Sequence, residues 1–438
     1  MTVTNVRIVT TLLFCGYLSS TGSARANAVV DWNEIAIQTI TATTLHPGAT
    51  VFLDGAIVQA AVYDAVVAID GRFQPYHVVI PGATGSPAAA TAKAAHDILV
   101  NRFPGQMASI DKAYHDYLAK NGLSESDLGV AVGQKAAAGI IALRANDGSF
   151  PNPPPPPFVG GTAPGEWRPT RSYLPGPPPS FSPMLAPWLA DVTPFTLTSP
   201  SQFRPGPPPA LTSERYTRAY DEVKALGSLL SSARSSEQTD LGYFWAGNYF
   251  VVWNHALREI ANAQALDIDY TARLFALANL AMADAGIAAW DTKRHYVFWR
   301  RVTAIQEGDT DGNPHTTADP GWQPLINTPN YPEYVSGANC VTGAVTRMLA
   351  LFFRTDEMTF SVTTTNLMAH EQTRTYTRFS DAARDVVNAR VYEGIHFRFS
   401  DIEARTLGRE VAGWAFKRFL RPVHEERNHN DDDHNGGR

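Results

Sequence analysis

Apolar residues recur every three or four positions through most of the chain, the spacing expected of helices that bury one face. Ile57, Ala60, Ala61, Ala65 and Val66 form such a stripe and predict a helix over Phe52 to Ile69. Trp32 to Leu45, Ala88 to Asn101 and Asp127 to Asn146 follow the same pattern, the last with Ser124 as its expected N-cap. Later in the chain, helices are predicted over Ser213 to Ser232, Ser236 to Ala261, Tyr270 to Trp290, Asn339 to Phe353, Ser380 to Val391 and Ile402 to Phe419. Leu274, Leu277, Ala278, Ala281, Ala285 and Ala288 share one face of the Tyr270 to Trp290 segment. Strand character is slight and best at Phe360 to Thr365, so the expected class is all-α.

The helical pattern is interrupted between residues 151 and 210. Pro153 to Pro157, Pro177 to Pro179 and Pro207 to Pro209 lie there, and proline lacks the N–H that regular helix and central strand require. Trp167, Phe181, Trp188 and Phe195 favour a segment wrapped on the surface over a free linker, since flexible linkers seldom carry so many aromatics. This divides the chain into a helical region over 29–150, the proline-rich segment over 151–210, and a second helical region over 211–422. The polar, acidic tail over 423–438 is expected to be disordered, and its His429 and His434 to be solvated.

Residues 1–28 read as a secretory signal. Arg7 gives the positive region, Ile8 to Tyr17 the short apolar run, and Ala24-Arg25-Ala26 or Ala26-Asn27-Ala28 the cleavage site. Phe14 before Cys15 argues against a lipoprotein signal. The apolar run is shorter than the roughly 20 residues that span a bilayer. The expected mature protein is therefore secreted or periplasmic, with no membrane anchor. Of the two cysteines only Cys340 would remain, so no internal disulfide is expected, and a lone cysteine is most simply a small buried hydrophobe. The net charge of −6 and pI of about 6.1 lack the basic excess of a nucleic-acid binder.

Three segments gather chemistry. Lys293 and Arg300 lie seven residues apart, which on a continuous helix would place them on one face, suited to a tetrahedral oxyanion. Ser336 and Gly337 precede an apolar helical run, where free backbone N–H groups and the helix dipole favour anions. Arg390 is followed six residues on by His396, whose neutral imidazole can bind a metal-oxo centre or attack phosphorus. Each segment alone has an ordinary structural explanation: a solvated basic face, a turn and N-cap, a satisfied core histidine. Asp309-Thr310-Asp311-Gly312-Asn313 opens like a calcium loop, but Pro320 stands at the twelfth position, so a tight turn is expected. Ser336 lacks the G-x-S-x-G surroundings of a hydrolase nucleophile.

In order and spacing, Lys293-x6-Arg300, Ser336-Gly337 and Arg390-x5-His396 resemble the signature of the vanadium-dependent haloperoxidase and type 2 phosphatidic acid phosphatase superfamily. Ala288 to Lys293, Phe298-Trp299-Arg300, Gly308 to Pro314, Pro332-Glu333-Tyr334, Gly394 to Phe399 and Val30-Asp31-Trp32-Asn33 resemble its bacterial haloperoxidase branch. The resemblance implies two packed helical bundles. It implies vanadate as cofactor, or phosphate in the same place, with hydrogen peroxide and a halide, or a phosphoester, as substrates. It leaves open a homodimer. It implies that Lys293, Arg300 and Arg390 clamp the oxyanion, that Ser336 and Gly337 donate to it, and that His396 is the axial vanadate ligand or the phosphorylated nucleophile. The chain departs from the pattern at Ala338, where the family's acid/base histidine belongs, at Arg301 in place of proline, at Ala389 in place of serine, and at Tyr331 in place of an upstream histidine. Oxyanion binding is thus expected to survive with weakened turnover, a catalytically silent relative is the alternative, and His295 or His315 is the expected substitute imidazole.

Overall fold

The computed structural model describes residues 27–46, 48–171 and 181–423. Most of the expected signal segment (1–28) and of the expected disordered tail (423–438) lies outside them. Among the described residues there are thirteen α-helices and one two-stranded sheet, so the protein is all-α.

The N-terminal half contains α1 (Ala28–Thr41), α2 (Val51–Asp70), α3 (Pro87–Arg102), α4 (Met107–Lys120) and α5 (Leu128–Arg144). α2, α3 and α5 pack on one another, and α2 lies along α9 (Ile268–Tyr296). Between them come α6 (Glu214–Leu226), α7 (Ser236–Trp245) and α8 (Tyr249–Ala263). The other face of α9 receives α11 (Gly337–Phe352) and α13 (Arg398–Arg418), with α12 (Phe379–Tyr392) beside them and the short α10 (Arg301–Gln306) following α9. α9 is therefore a helix shared by two packed groups. α2 and α9 are long and apolar enough to cross a membrane, yet both are core helices, about nine-tenths buried.

Some boundaries differ from the sequence pattern for physical reasons. Asp127, not Ser124, caps α5: its carboxylate accepts from Gly129 N at 2.7 Å and from Ser86 N at 2.8 Å, while Ser124 closes a turn with Ser126. The predicted Ser236 to Ala261 helix is two helices. Asn248 caps α8 by accepting from Phe250 N, and its own N–H donates to Thr365 Oγ1 at 2.7 Å. The α6 helix ends at Leu226, well before Ser232. The sheet pairs β1 (Glu357–Thr363) with β2 (Thr373–Arg378), antiparallel, with Phe360 opposite Tyr376. The motif at Asp309 is a turn, with Asp311 accepting from Asn313 N and Thr316 Oγ1.

The described parts of 151–210 hold no α-helix and lie against the body. Trp167 and Phe195 are buried, Trp188 half-buried, and Phe181 exposed. One carboxylate pins this strap. Asp284, wholly buried on α9, accepts from Phe195 N at 2.6 Å, Thr196 N at 2.7 Å and Leu197 N at 3.2 Å. Burial pushes its pKa up and these donors oppose the rise. A second polar tie joins α1, α8 and α9: Asn33, Asn254 and Asn279 bond one another at 2.9 to 3.2 Å in an otherwise apolar interior.

The approach of α13 to α11 depends on Gly408. A Cβ there would stand 1.9 Å from Cys340 O and 2.7 Å from Ala344 N. Alanine normally gains up to about 1 kcal/mol over glycine inside a helix. At this contact the overlap wins, and Gly408→Ala is expected to destabilise the fold by about 1–3 kcal/mol. A fall in the chemical-denaturation midpoint at unchanged slope is the expected measurement; a rise would mean that the two helices separate freely.

Candidate active site

The segment between Lys293 and Arg300 is not one helix. α9 ends at Tyr296, Val297 adopts a left-handed φ of 49°, and Arg300 is the N-cap of α10. The expected stacking on a single helical face is therefore replaced by a turn. The strap holds that turn: Trp167 N donates to Val297 O at 2.6 Å and Trp299 N to Gly165 O at 2.9 Å. The turn points both cations inward, and each is fully buried. Lys293 Nζ donates to Pro332 O at 2.7 Å and Glu333 O at 3.0 Å. Arg300 donates from Nε to Tyr331 O and from Nη1 to Ile395 O, leaving Nη2 buried without a partner. Both reach Tyr331, whose ring lies 4.8 Å from the ammonium and 4.7 Å from the guanidinium carbon.

Arg390, on α12, pairs with Glu393 at 2.5 Å, and its Nε has no partner. Ser336 is the N-cap of α11, but no side chain caps the helix, so the amides of its first turn are free of such a partner. The Ser336 hydroxyl accepts from Asn339 Nδ2 at 3.4 Å, and the same amide donates to Asp401 Oδ1 at 2.8 Å. Gly337 lies against Trp290, where a Cβ would come within 3.3 Å of the indole.

His396 is 1% exposed, and its Nδ1 lies 3.0 Å from Glu333 Oε1. Nδ1–H donates to the carboxylate, which leaves Nε2 as the lone-pair nitrogen. The same Glu333 oxygen accepts from Phe397 N at 2.9 Å and from Arg301 at 3.3 Å. Burial, then the positive charges of Arg300, Lys293, Arg301 and Arg390, hold the imidazole pKa well below 6.5, so the ring is neutral. Burial also lowers Lys293 well below its ordinary value and Arg300 to about 10. It raises Glu333, and Glu393 to about 7 in spite of the Arg390 partner. For Arg390 burial works downward but the Glu393 carboxylate outweighs it, and the guanidinium sits above its usual range.

Above these groups opens a cavity of about 520 Å³. Gly337, Ala338, Arg390, Tyr331 and Ile395 line its inner end, and Trp290, Phe52 and Tyr249 are among its apolar walls. The structure thus brings Lys293, Arg300, Arg390 and His396 into one buried cluster; Arg390 lines the cavity with Gly337 and Ala338, whereas Lys293, Arg300, Ser336 and His396 do not. His295 and His315 are both exposed and line no part of it, so neither is the substitute imidazole. The histidine on the wall is His46. Its Nδ1 lies 2.7 Å from Asp54, which also accepts from Arg102 Nε at 2.8 Å, and its ring stacks on Phe150 at 3.7 Å. Its Nε2 has no partner among the described residues. Nothing in the three motifs points to His46, Glu333 as His396's partner, or Asp401. Cys340 is buried, its thiol pushed up by burial and bonded to Ala285 O, and takes no part.

Residues 273–425 match the family model of the VCPO second helical-bundle domain. The vanadium chloroperoxidase of Curvularia inaequalis is 31% identical over 41% of this chain. That alignment spans about a third, 34%, of the fungal protein. The crystal structure described as the first bacterial vanadium-dependent iodoperoxidase superposes with a TM-score of 0.76 at 24% identity, covering 91% of this chain and 98% of that one. A holo-type bacterial vanadium-dependent chloroperoxidase gives 0.73 at 18% identity, covering 90% and 97%. The corresponding apo-type structure gives 0.70 at 20%, covering 84% and 92%. At these identities the solved structures establish the fold.

Arg301, where the family pattern has proline, faces Glu333 in a site that excludes water. Removing one partner of a buried pair costs about 3–5 kcal/mol, because the other charge is left uncompensated. Glu333→Gln is expected to lose stability on that scale in urea unfolding. Adding Arg301→Met should recover part of the loss, and additive losses in the double variant would show that the two charges do not depend on one another.

Proposed function

We propose that this protein binds vanadate and oxidises a halide with hydrogen peroxide: residues 273–425 match the VCPO second helical-bundle domain, and 91% of the chain superposes on a bacterial vanadium-dependent iodoperoxidase. One observation carries the reading most: a neutral imidazole, fixed through Glu333, sits among buried cations that still have unused donors at Arg300 Nη2 and Arg390 Nε. Two orphaned buried donors suit an oxyanion, since leaving them unpaired is costly. His396 Nε2 would hold the vanadate through its lone pair. Lys293, Arg300 and Arg390 would neutralise the anion, and Gly337 would offer its amide. Ser336, which accepts from Asn339, would donate its hydroxyl. Bound vanadate supplies Lewis-acid polarisation of the peroxide.

Proton movement is the weaker part of the site. Ala338 transfers no proton, and general acid–base groups contribute roughly 100- to 10,000-fold. His46, anchored by Asp54, is the imidazole that the cavity offers in exchange, working through water in the same space. A silent oxyanion-binding protein is the second reading, favoured by Ala338 on the cavity wall. The Arg7 and Ile8 to Tyr17 segment supports an exported protein.

The test is halide oxidation by vanadate-loaded protein, with iodide and bromide, alongside hydrolysis of a generic phosphomonoester without peroxide. Slow oxidation is expected, raised about 100-fold by Ala338→His and lowered at least tenfold by His46→Gln. Phosphoester hydrolysis alone would replace the proposal with a phosphatase acting through His396. Vanadate binding without either reaction would establish the silent reading. Fast wild-type oxidation, indifferent to Ala338→His, would refute the weakened site.

A further inference from the structure

A second cavity, of about 530 Å³, shares no lining residue with the first. Three helices turn arginines into it: Arg347 from α11, Arg384 from α12, and Arg405 and Arg409 from α13. Arg347 lies ten residues beyond Gly337, about 15 Å along α11, so the two cavities are at different levels of one bundle.

The four arginines outnumber the acids beside them, Asp381 and Asp356. Arg384 pairs with Asp381 at 2.6 Å. Among the described residues the guanidinium groups of Arg347, Arg405 and Arg409 form no hydrogen bond or ion pair. The carboxylate lining the cavity is Asp356, and both of its oxygens are taken: Oδ1 accepts from Ser380 N at 3.0 Å and Oδ2 from Ser380 Oγ at 2.5 Å. Arg405 and Arg409 stand four apart on α13, where like charges repel. Burial, then the charges of Arg409 and Arg384, push Arg405 below its usual pKa. A net charge of −6 means that this concentration of arginine is local and not a feature of the whole surface. Thr346 and Thr406 add hydroxyl oxygens, and little on the walls would hold an apolar body.

We propose that the cavity between α11, α12 and α13 is a second oxyanion site, which takes a multiply charged phosphate or sulfate anion on Arg347, Arg384, Arg405 and Arg409. Guanidinium forks match such oxygens in pairs, and convergence from three helices fixes their positions without any contribution from a loop. The anion removes the mutual repulsion that the apo cluster retains. The inference is independent of the reaction at His396 and stands whether or not the first site turns over.

The test uses the full chain with 15N-labelled arginine, titrated with orthophosphate, sulfate and tripolyphosphate at constant ionic strength against a sodium chloride control. Saturable shifts of the Arg405 and Arg409 Nε–Hε signals are expected, at anion concentrations where chloride has no effect. Equal response to orthophosphate and sulfate assigns a simple divalent anion; a much tighter response to tripolyphosphate assigns a polyphosphate. Arg405→Gln/Arg409→Gln should weaken this binding at least tenfold and leave the responses of Arg300 and Arg390 unchanged. Arg405 and Arg409 signals that move no more than in chloride would overturn the proposal, as would a double variant that binds like the wild type.

Discussion

Four cationic side chains, Lys293, Arg300, Arg301 and Arg390, share a dry interior with three carboxylates, Glu333, Glu393 and Asp401. Water cannot solvate them, so each must be met by a dipole, an opposite charge or an anion. Much of the C-terminal half serves that need. The carbonyls of residues 331–333 turn toward Lys293 and Arg300, Glu333 holds both His396 and Arg301, and Glu393 faces Arg390. Donors are left over at Arg300, Arg301 and Arg390, beside unpartnered oxygens of Glu333 and Asp401.

The helices are legible in the sequence because their burial is one-sided or complete, and either leaves a periodic trace. α9 shows this well: its small residues let α2, α11 and α13 approach from different sides. The residues of the buried cationic cluster are legible as a motif, in which spacing stands for a contact that spacing cannot explain. Lys293 and Arg300 meet through a left-handed residue and the strap, neither of which a periodic pattern encodes. Glu333 is visible in the Pro332-Glu333-Tyr334 resemblance but not as the partner of His396, because a buried acid looks like any polar interruption until its partners are placed around it. His46 is still further from view. It comes from a loop more than 240 residues upstream of the motifs and reaches the cavity only through tertiary packing.

The division of α7 from α8 shows the same limit from another side. Their joint sequence carries helical periodicity, yet Asn248 and Thr365 stop the first helix and start the second. The residues at that break line the cavity, so a local capping choice shapes the space above His396.

Asp284 gives the strap a role larger than covering the core. By gathering the amides of residues 195–197 it fastens one end of a proline-rich band whose other part, at Gly165 and Trp167, grips the turn beyond Lys293. The turn that separates Lys293 from Arg300 is thus clasped by backbone from outside the three motifs, so its shape is a property of the strap as well as of its own sequence.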